Sequence, residues 1–505
     1  MKKRFASLSI VSLFVCSCLA AQDLRSFEKR VTRRVLPNGL TLLVLERPDA
    51  PVFSFFIHVD AGSAQEVPGI TGLAHMFEHM AFKGTQSIGT SDWAAEKSAL
   101  ENVEKTYTAY DAERRRETGR DEKKVTQAEK RWRDAMTAAD KFVVSNEFTQ
   151  IVETEGGVGL NAFTSNDETG YFYSLPSNRV ELWAFLESAR FLNPVMREFY
   201  KERDVVMEER RMRSDSNPIG KLVEQFLATA FTAHPYGQAG IGWPSDLRSF
   251  SATDAQRFFK TYYVPANMTV AVVGDVRPVE VVTIVEKYFG PIASSPRPDP
   301  LRTVEPPQTA ERQVLLRETA QPLYLEGYHK PDSRHPDDAV YDVISDLMSS
   351  GRTSRLYRAL VRDRKIAAAA AGFNSFPGDK YPNVFAFYAV PTPGHTNDEV
   401  RDVMRAEIER LKKEDVTDEE LRMVKTRAKA NLIRGLDSNQ GLAIQLATAQ
   451  ARFGDWREVF RGVDAIEKVT KADVRRVANV TFVAANRTVG IIESTQMAGA
   501  PKENK

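Results

Sequence analysis

The chain has 505 residues, enough for two to four domains at about 100–200 residues each. Hydrophobic residues make up 42% and charged residues 27%, which excludes a disordered chain, a collagen-like chain and a coiled-coil rod. The formal net charge of +1 provides no field for nucleic acid or acidic substrates.

Met1–Arg4 is basic, Phe5–Leu19 is apolar, and Cys18-Leu19-Ala20-Ala21 ends in small residues. This pattern predicts a secretory signal peptide over residues 1–20 and a periplasmic destination. Its removal leaves 66 basic against 68 acidic residues, a charge of −2, and takes away Cys16 and Cys18, the only cysteines. A lipoprotein anchor at Cys18 is the secondary expectation, and Cys16 two residues earlier fits it poorly. No other segment reaches 18 apolar residues, so no transmembrane span is expected in the mature chain.

Asn38-Gly39 reads as a turn between strand-like runs. Leu40–Leu45 and Val52–Val59 are rich in β-branched and aromatic residues, so a hairpin should open a sheet. Gly69–Phe82 has helical spacing, with Leu73, Phe77 and Met80 as apolar anchors. Residues 101–140 hold 20 charged residues and no proline, twice the density of the chain as a whole. Two charged helices joined near Thr118–Asp121 are expected over 91–146, projecting from the body as an antiparallel hairpin. Another strand region runs from Glu155 to Tyr173, helices cover Val180–Leu192 and Glu202–Met212, and Asn267–Val273 is a strand.

Phe289–Arg312 contains six prolines and reads as a semi-rigid linker over 290–312. The N-terminal domain is thus placed at 31–289 and a second domain at 313–494, with a polar tail at 495–505. In the second domain, strands are expected near Val314–Leu316, Leu323–His329, Ala367–Phe373, Val384–Val390 and Thr488–Ile492. Helices are expected at Asp337–Met348, Asn397–Lys413, Asp418–Arg434 and Lys471–Val480. Both halves run strand, strand, helix, strands, helices, closing strand. The fold class is therefore α+β, two similar domains, with the charged hairpin inserted in the first.

Only seven histidines are present, and two of them flank a carboxylate in His75-Met76-Phe77-Glu78-His79. On a helix, His75 and His79 fall about 40° apart and Glu78 lies on the same side. Neutral imidazoles suit zinc, and a nearby Glu can take a proton from an attacking water. The order H-x-x-E-H is the inverzincin arrangement. A catalytic zinc wants a third protein ligand. Glu202 and Glu209, seven residues apart, share a helix face; one can bind metal while the other orients a ligand, and Glu208 points elsewhere.

The segment Gly72–Thr85, with Asn161-Ala162-Phe163-Thr164, Glu202-Arg203-x-Val205-Val206-x-x-Glu209 and His234-Pro235-Tyr236-Gly237, resembles the pitrilysin or insulinase-type zinc metallopeptidases. It is most similar to the branch of the mitochondrial processing peptidase and its bacterial relatives. The resemblance implies two α/β-roll domains that build half of a closed chamber. It implies one Zn2+ per chain held by His75, His79 and Glu209, with Glu78 as general base and Glu202 as the carboxylate behind the ligands. Asn161, Ala162, Phe163 and Thr164 would pair with an extended substrate backbone. His79 and Glu209 are 130 residues apart, longer than the family's usual spacing by about the length of the charged hairpin. Active members also carry an Arg and a Tyr in the C-terminal half; those positions fall here on Val361 and Ala368, with Arg362 one residue off. The expectation is a secreted zinc endopeptidase acting on peptides or unfolded segments. It would be the zinc-bearing subunit of a heterodimer whose related partner supplies the Arg and Tyr. The alternative is a non-catalytic peptide-binding or assembly subunit. There is no Walker loop, no Rossmann glycine pattern and no basic-aromatic groove for nucleic acid.

Overall fold

A computed structural model describes residues 29–495. The expected signal peptide at 1–20, its two cysteines and residues 496–505 of the polar tail lie outside the described residues.

The first sheet contains β1 (Val31–Val35), β2 (Thr41–Glu46), β3 (Val52–Val59), β4 (Val158–Thr164), β5 (Thr169–Pro176) and β6 (Met268–Gly274) in the order β1-β2-β6-β3-β5-β4. The turn at Asn38-Gly39 joins β1 to β2, and Gly39 takes φ +99°, a conformation that glycine adopts without strain. The expected pairing of β2 with β3 does not occur. The closing strand β6 inserts between them, parallel to β2 and antiparallel to β3. Every residue of β6 is buried, as a strand covered on both faces requires.

The second sheet contains β7 (Arg312–Glu318), β8 (Leu323–Lys330), β9 (Ala367–Phe376), β10 (Asn383–Pro391) and β11 (Arg487–Ser494) in the order β7-β11-β8-β10-β9. This repeats β2-β6-β3-β5-β4 strand for strand, including the single parallel pair between first and closing strands. The segment between Ile292 and Glu311 forms neither helix nor strand.

Packing crosses that segment in both directions. Two C-terminal helices absent from the sequence reading, Asn439–Phe453 and Glu458–Lys468, cover the outer face of the first sheet. There Leu442, Leu446 and Trp456 meet Leu43, Leu45, Phe56 and Val273. Reciprocally, the helix Pro218–Ala230, also unforeseen, lays Leu222 and Phe226 on Leu325, Val384 and Ile492 of the second sheet. Each half completes the other's core.

The charged segment folds as two helices, Trp93–Arg114 and Glu122–Ala139. It does not project from the body. Val103, Tyr107, Trp132, Ala135 and Ala139 belong to the main core, packed on the helix Phe199–Arg210. The buried guanidinium of Arg197 grips Glu96 through two hydrogen bonds of 2.6 and 2.9 Å, and donates to the carbonyls of Thr85 and Ile88 at 3.0 Å each. Such a fork-to-carboxylate pair fixes orientation as well as charge, and it anchors the root of the hairpin.

Candidate metal centre

The H-x-x-E-H segment lies on the helix Leu73–Met80. Gly72 starts it at φ +96°, and a Cβ there would come within 2.7 Å of the Ile241 carbonyl. Glu66 receives the free N–H groups of Gly72 and Ala74 at 2.7 Å each. That satisfies donors at the helix start. Leu73, Met76, Phe77 and Met80 are buried and lock the helix against the core.

The helix Phe199–Arg210 runs alongside. Its Glu209 Oε2 lies 3.2 Å from His79 Nε2 and 3.7 Å from His75 Nε2. One ligating atom from each of His75, His79 and Glu209 can be chosen so that all three lie within 4.8 Å of one another. The two imidazole rings are 4.9 Å apart and nearly perpendicular. Two imidazole nitrogens and one carboxylate oxygen converging from two helices form a donor set suited to zinc, three of the four positions a catalytic zinc takes. Glu78 Oε2 sits 3.9 Å from His75 Nε2, at the edge of this cluster. Glu202 Oε2 stands 3.4 Å behind His79 Nδ1, the position from which a carboxylate fixes the tautomer of a ligating imidazole. Glu208 is exposed and paired with Arg211 instead.

The electrostatics follow from the packing. Burial pushes the His75 imidazole down to about 4, so it is held neutral, the form that binds metal. Burial also works against a charged His79, but the Glu202, Glu209 and Glu78 carboxylates outweigh it and raise its pKa. Burial raises the Glu78 carboxyl, which suits a group that must accept a proton near neutral pH. Burial opposes ionisation of Glu202 as well, yet His79 and Lys83 overcome it and lower its pKa.

The sequence reading missed three supporting residues. Lys83 bridges Glu202 at 2.5 Å and Glu198 at 3.2 Å. Arg213 holds the other oxygen of Glu209 at 2.8 Å. Glu66 is the third. Lys83 and Arg213 stand four residues beyond His79 and Glu209, and that spacing was the available signal.

Asn161, Ala162, Phe163 and Thr164 lie on β4, the edge strand of the first sheet. They pair with Phe172, Tyr171, Gly170 and Thr169 of β5, and among the described residues no strand pairs with the other edge. Thr164 Oγ1 donates to the Ala74 carbonyl at 3.4 Å, tying this edge to the histidine helix. His234 is buried, and its Nδ1 accepts from the Tyr236 N–H at 3.1 Å. Tyr236 in turn donates to Asp167 at 2.5 Å, so the loop braces the β4–β5 turn. Val361 is half-buried against the second core, Ala368 is exposed on β9, and Arg362 pairs with Asp363 at 2.6 Å.

Comparison with known proteins agrees with this architecture. Residues 42–117 match the insulinase (peptidase family M16) model, and residues 249–428 match the peptidase M16 inactive domain. The chain is 29% identical to the zinc protease PqqE of Helicobacter pylori over 451 residues, covering 87% of each protein. It superposes on the crystal structure of a protease from Helicobacter pylori with a TM-score of 0.76 and 26% identity, covering 92% of this chain and 99% of that one. The first half of the periplasmic protease PqqL from Escherichia coli shares the fold at a TM-score of 0.68 and 16% identity, with 93% of both chains covered. With two sheets of matching strand order and zinc proteases among its relatives, the chain belongs to the insulinase-type M16 peptidase family.

Proposed function

We propose that this chain is a zinc endopeptidase exported to the periplasm, acting on peptides or unfolded segments, with His75, His79 and Glu209 as zinc ligands. The observation that carries the reading is the convergence of those three ligating groups beside Glu78. Zinc bound there would polarise the scissile carbonyl and acidify a water. The protein's own residues would do the rest. Glu78 would accept the water proton on its carboxylate and deliver it to the leaving amine. Glu202 would hold His79 through Nδ1 and leave Nε2 for the metal. The free edge of β4 would receive the substrate backbone as an added strand, which selects extended, unfolded chains over folded ones.

The N-terminal signal pattern supports export. Among the described residues no helix is long and apolar enough to cross a membrane. Val361 and Ala368 offer neither a guanidinium nor a phenol, which supports a related partner chain that supplies both.

The test is hydrolysis of unfolded polypeptides by the purified mature chain with zinc, using Glu78→Gln as the blank. Turnover above the blank, with zinc content equal in both proteins, is the expected result. Equal turnover would reject Glu78 as the base. If the folded, zinc-loaded chain is silent alone and cleaves only with a related chain added, the heterodimer is required.

A further inference from the structure

The second sheet repeats the first with one omission. β1 flanks β2 on the outer edge of the first sheet, whereas β7, the counterpart of β2, has no strand on that side among the described residues. There β7 pairs only with β11, and no other backbone hydrogen bond reaches Gln313–Arg317. An open edge presents a row of unpaired N–H and C=O groups that invites another strand.

Folded proteins blunt such edges with charge, short length or bulges. The other three edges carry these devices. β1 is five residues long and exposes Arg33 and Arg34. The β4–β5 pairing shifts register between Val158 and Asn161, and the β9–β10 pairing shifts at Val384/Ala386 and at Val390/Pro391. β7 is seven residues long, keeps one register against β11 throughout, and centres on Val314-Leu315-Leu316. Leu315 is 39% exposed, while Val314 and Leu316 are half-buried beneath the helix Pro218–Ala230.

We propose that β7 pairs antiparallel with β7 of a second copy of this chain, about a two-fold axis at Leu315. The strand reads Arg-Gln-Val-Leu-Leu-Arg-Glu, and that order is self-complementary. In this register Arg312 stands opposite Glu318, Gln313 opposite Arg317 and Val314 opposite Leu316, and Leu315 meets its own copy. Opposite residues of paired strands interact, and unlike charges are favourable there where like charges are not. A slip by one residue would set the helix-covered face of one copy beside the open face of the other. Arg312 Nη1 donates to the Thr229 and Ala230 carbonyls at 3.0 and 2.6 Å, but among the described residues Arg312 forms no ion pair. Glu318 of the second copy supplies one. Its Oε1 holds Lys221 at 2.8 Å, which leaves Oε2 for the guanidinium. The same patch serves both copies, as a closed two-fold interface requires. Seven residues a side make a small interface, so the dimer dissociates on dilution. It needs neither zinc nor a chamber partner, so it stands or falls apart from the peptidase reading.

The test uses the mature chain from residue 21, which contains no cysteine. Leu315→Cys sets two thiols opposite each other with Cβ atoms about 5 Å apart, so mild oxidation should give a covalent dimer on a non-reducing gel. Val279→Cys, at a position 80% exposed on the first half, should crosslink only at background level. Sedimentation velocity of the parent over about 1–100 µM should show a monomer–dimer equilibrium. Leu315→Lys, a change at the surface, should fold normally and weaken that equilibrium at least tenfold. A parent chain that stays monomeric across the range overturns the proposal, whether the edge is then idle or taken by a different chain. So does a dimer that folded Leu315→Lys leaves unchanged, or Leu315→Cys crosslinking no faster than Val279→Cys.

Discussion

The ring of Tyr107, in the inserted hairpin, lies 4.3 Å centroid to centroid from the ring of Tyr200, on the helix that carries Glu202 and Glu209. Trp132 closes the stack at 5.2 Å from Tyr107 and 5.3 Å from Tyr200. Arg203 lies over these rings and donates to the Tyr107 hydroxyl at 2.9 Å. The insertion therefore buttresses the helix that delivers the third candidate ligand. Trp132→Ala should cost about 3 kcal/mol of stability. It should also speed zinc loss to a chelator, because a loosened helix no longer fixes Glu209. Unchanged zinc release in the folded variant would show that the hairpin stabilises without positioning.

The register of the second helix makes a sharper comparison. Glu209 faces both histidines, whereas its neighbour Glu208 faces solvent beside Arg211. Glu209→Gln should reduce zinc affinity at least tenfold, and Glu208→Gln should leave it unaltered. Glu202→Gln should lower affinity by about 10- to 100-fold, since it frees His79 Nδ1 without removing a ligand. Competition with a fluorescent zinc chelator measures all three.

Reciprocal helix packing predicts coupled unfolding. Phe226 from the first half is fully buried on the second sheet, and Leu446 from the second half is 1% exposed on the first. Phe226→Ala and Leu446→Ala should each cost about 3 kcal/mol. Calorimetry should show one transition in the parent and the same single transition lowered in both variants. Two separated transitions would contradict the mutual completion of cores.

Glu420 predicts an acid limit for the C-terminal half. Burial opposes its charge, but Arg355 and the Thr417 N–H hold the carboxyl at about 2, below its ordinary value of 4.5. A depressed folded-state pKa means that the unfolded chain binds the proton first as pH falls. The stabilisation is complete above pH 4.5 and drains away towards about 2. Urea midpoints over that range should fall less steeply for Glu420→Gln than for the parent.

Much of the candidate site was legible because its parts are local. His75, Glu78 and His79 are set by one helical period, and Glu202 and Glu209 by two turns of another helix. The strand β4 and the turn at Asn38-Gly39 announce themselves by composition. The hairpin's two helices were legible too, but their destination was not. Charge dominated the reading, although Val125, Ala128, Trp132, Ala135 and Ala139 recur at three- and four-residue steps and mark a buried stripe.

The sequence by itself determined which groups could meet a metal, the repeated α+β order and the presence of a charged pair of helices. Tertiary structure alone decided that β6 separates β2 from β3, that the hairpin braces the Glu209 helix and that each half lends a helix to the other's sheet. It also decided that Lys83, Arg213 and Glu66 support the site. The physical reason is the same in each case. Periodicity records that a face is buried, and charge records that a group needs a partner. Neither records which distant segment supplies the covering surface or the opposite charge, because that choice is made only when the whole chain packs.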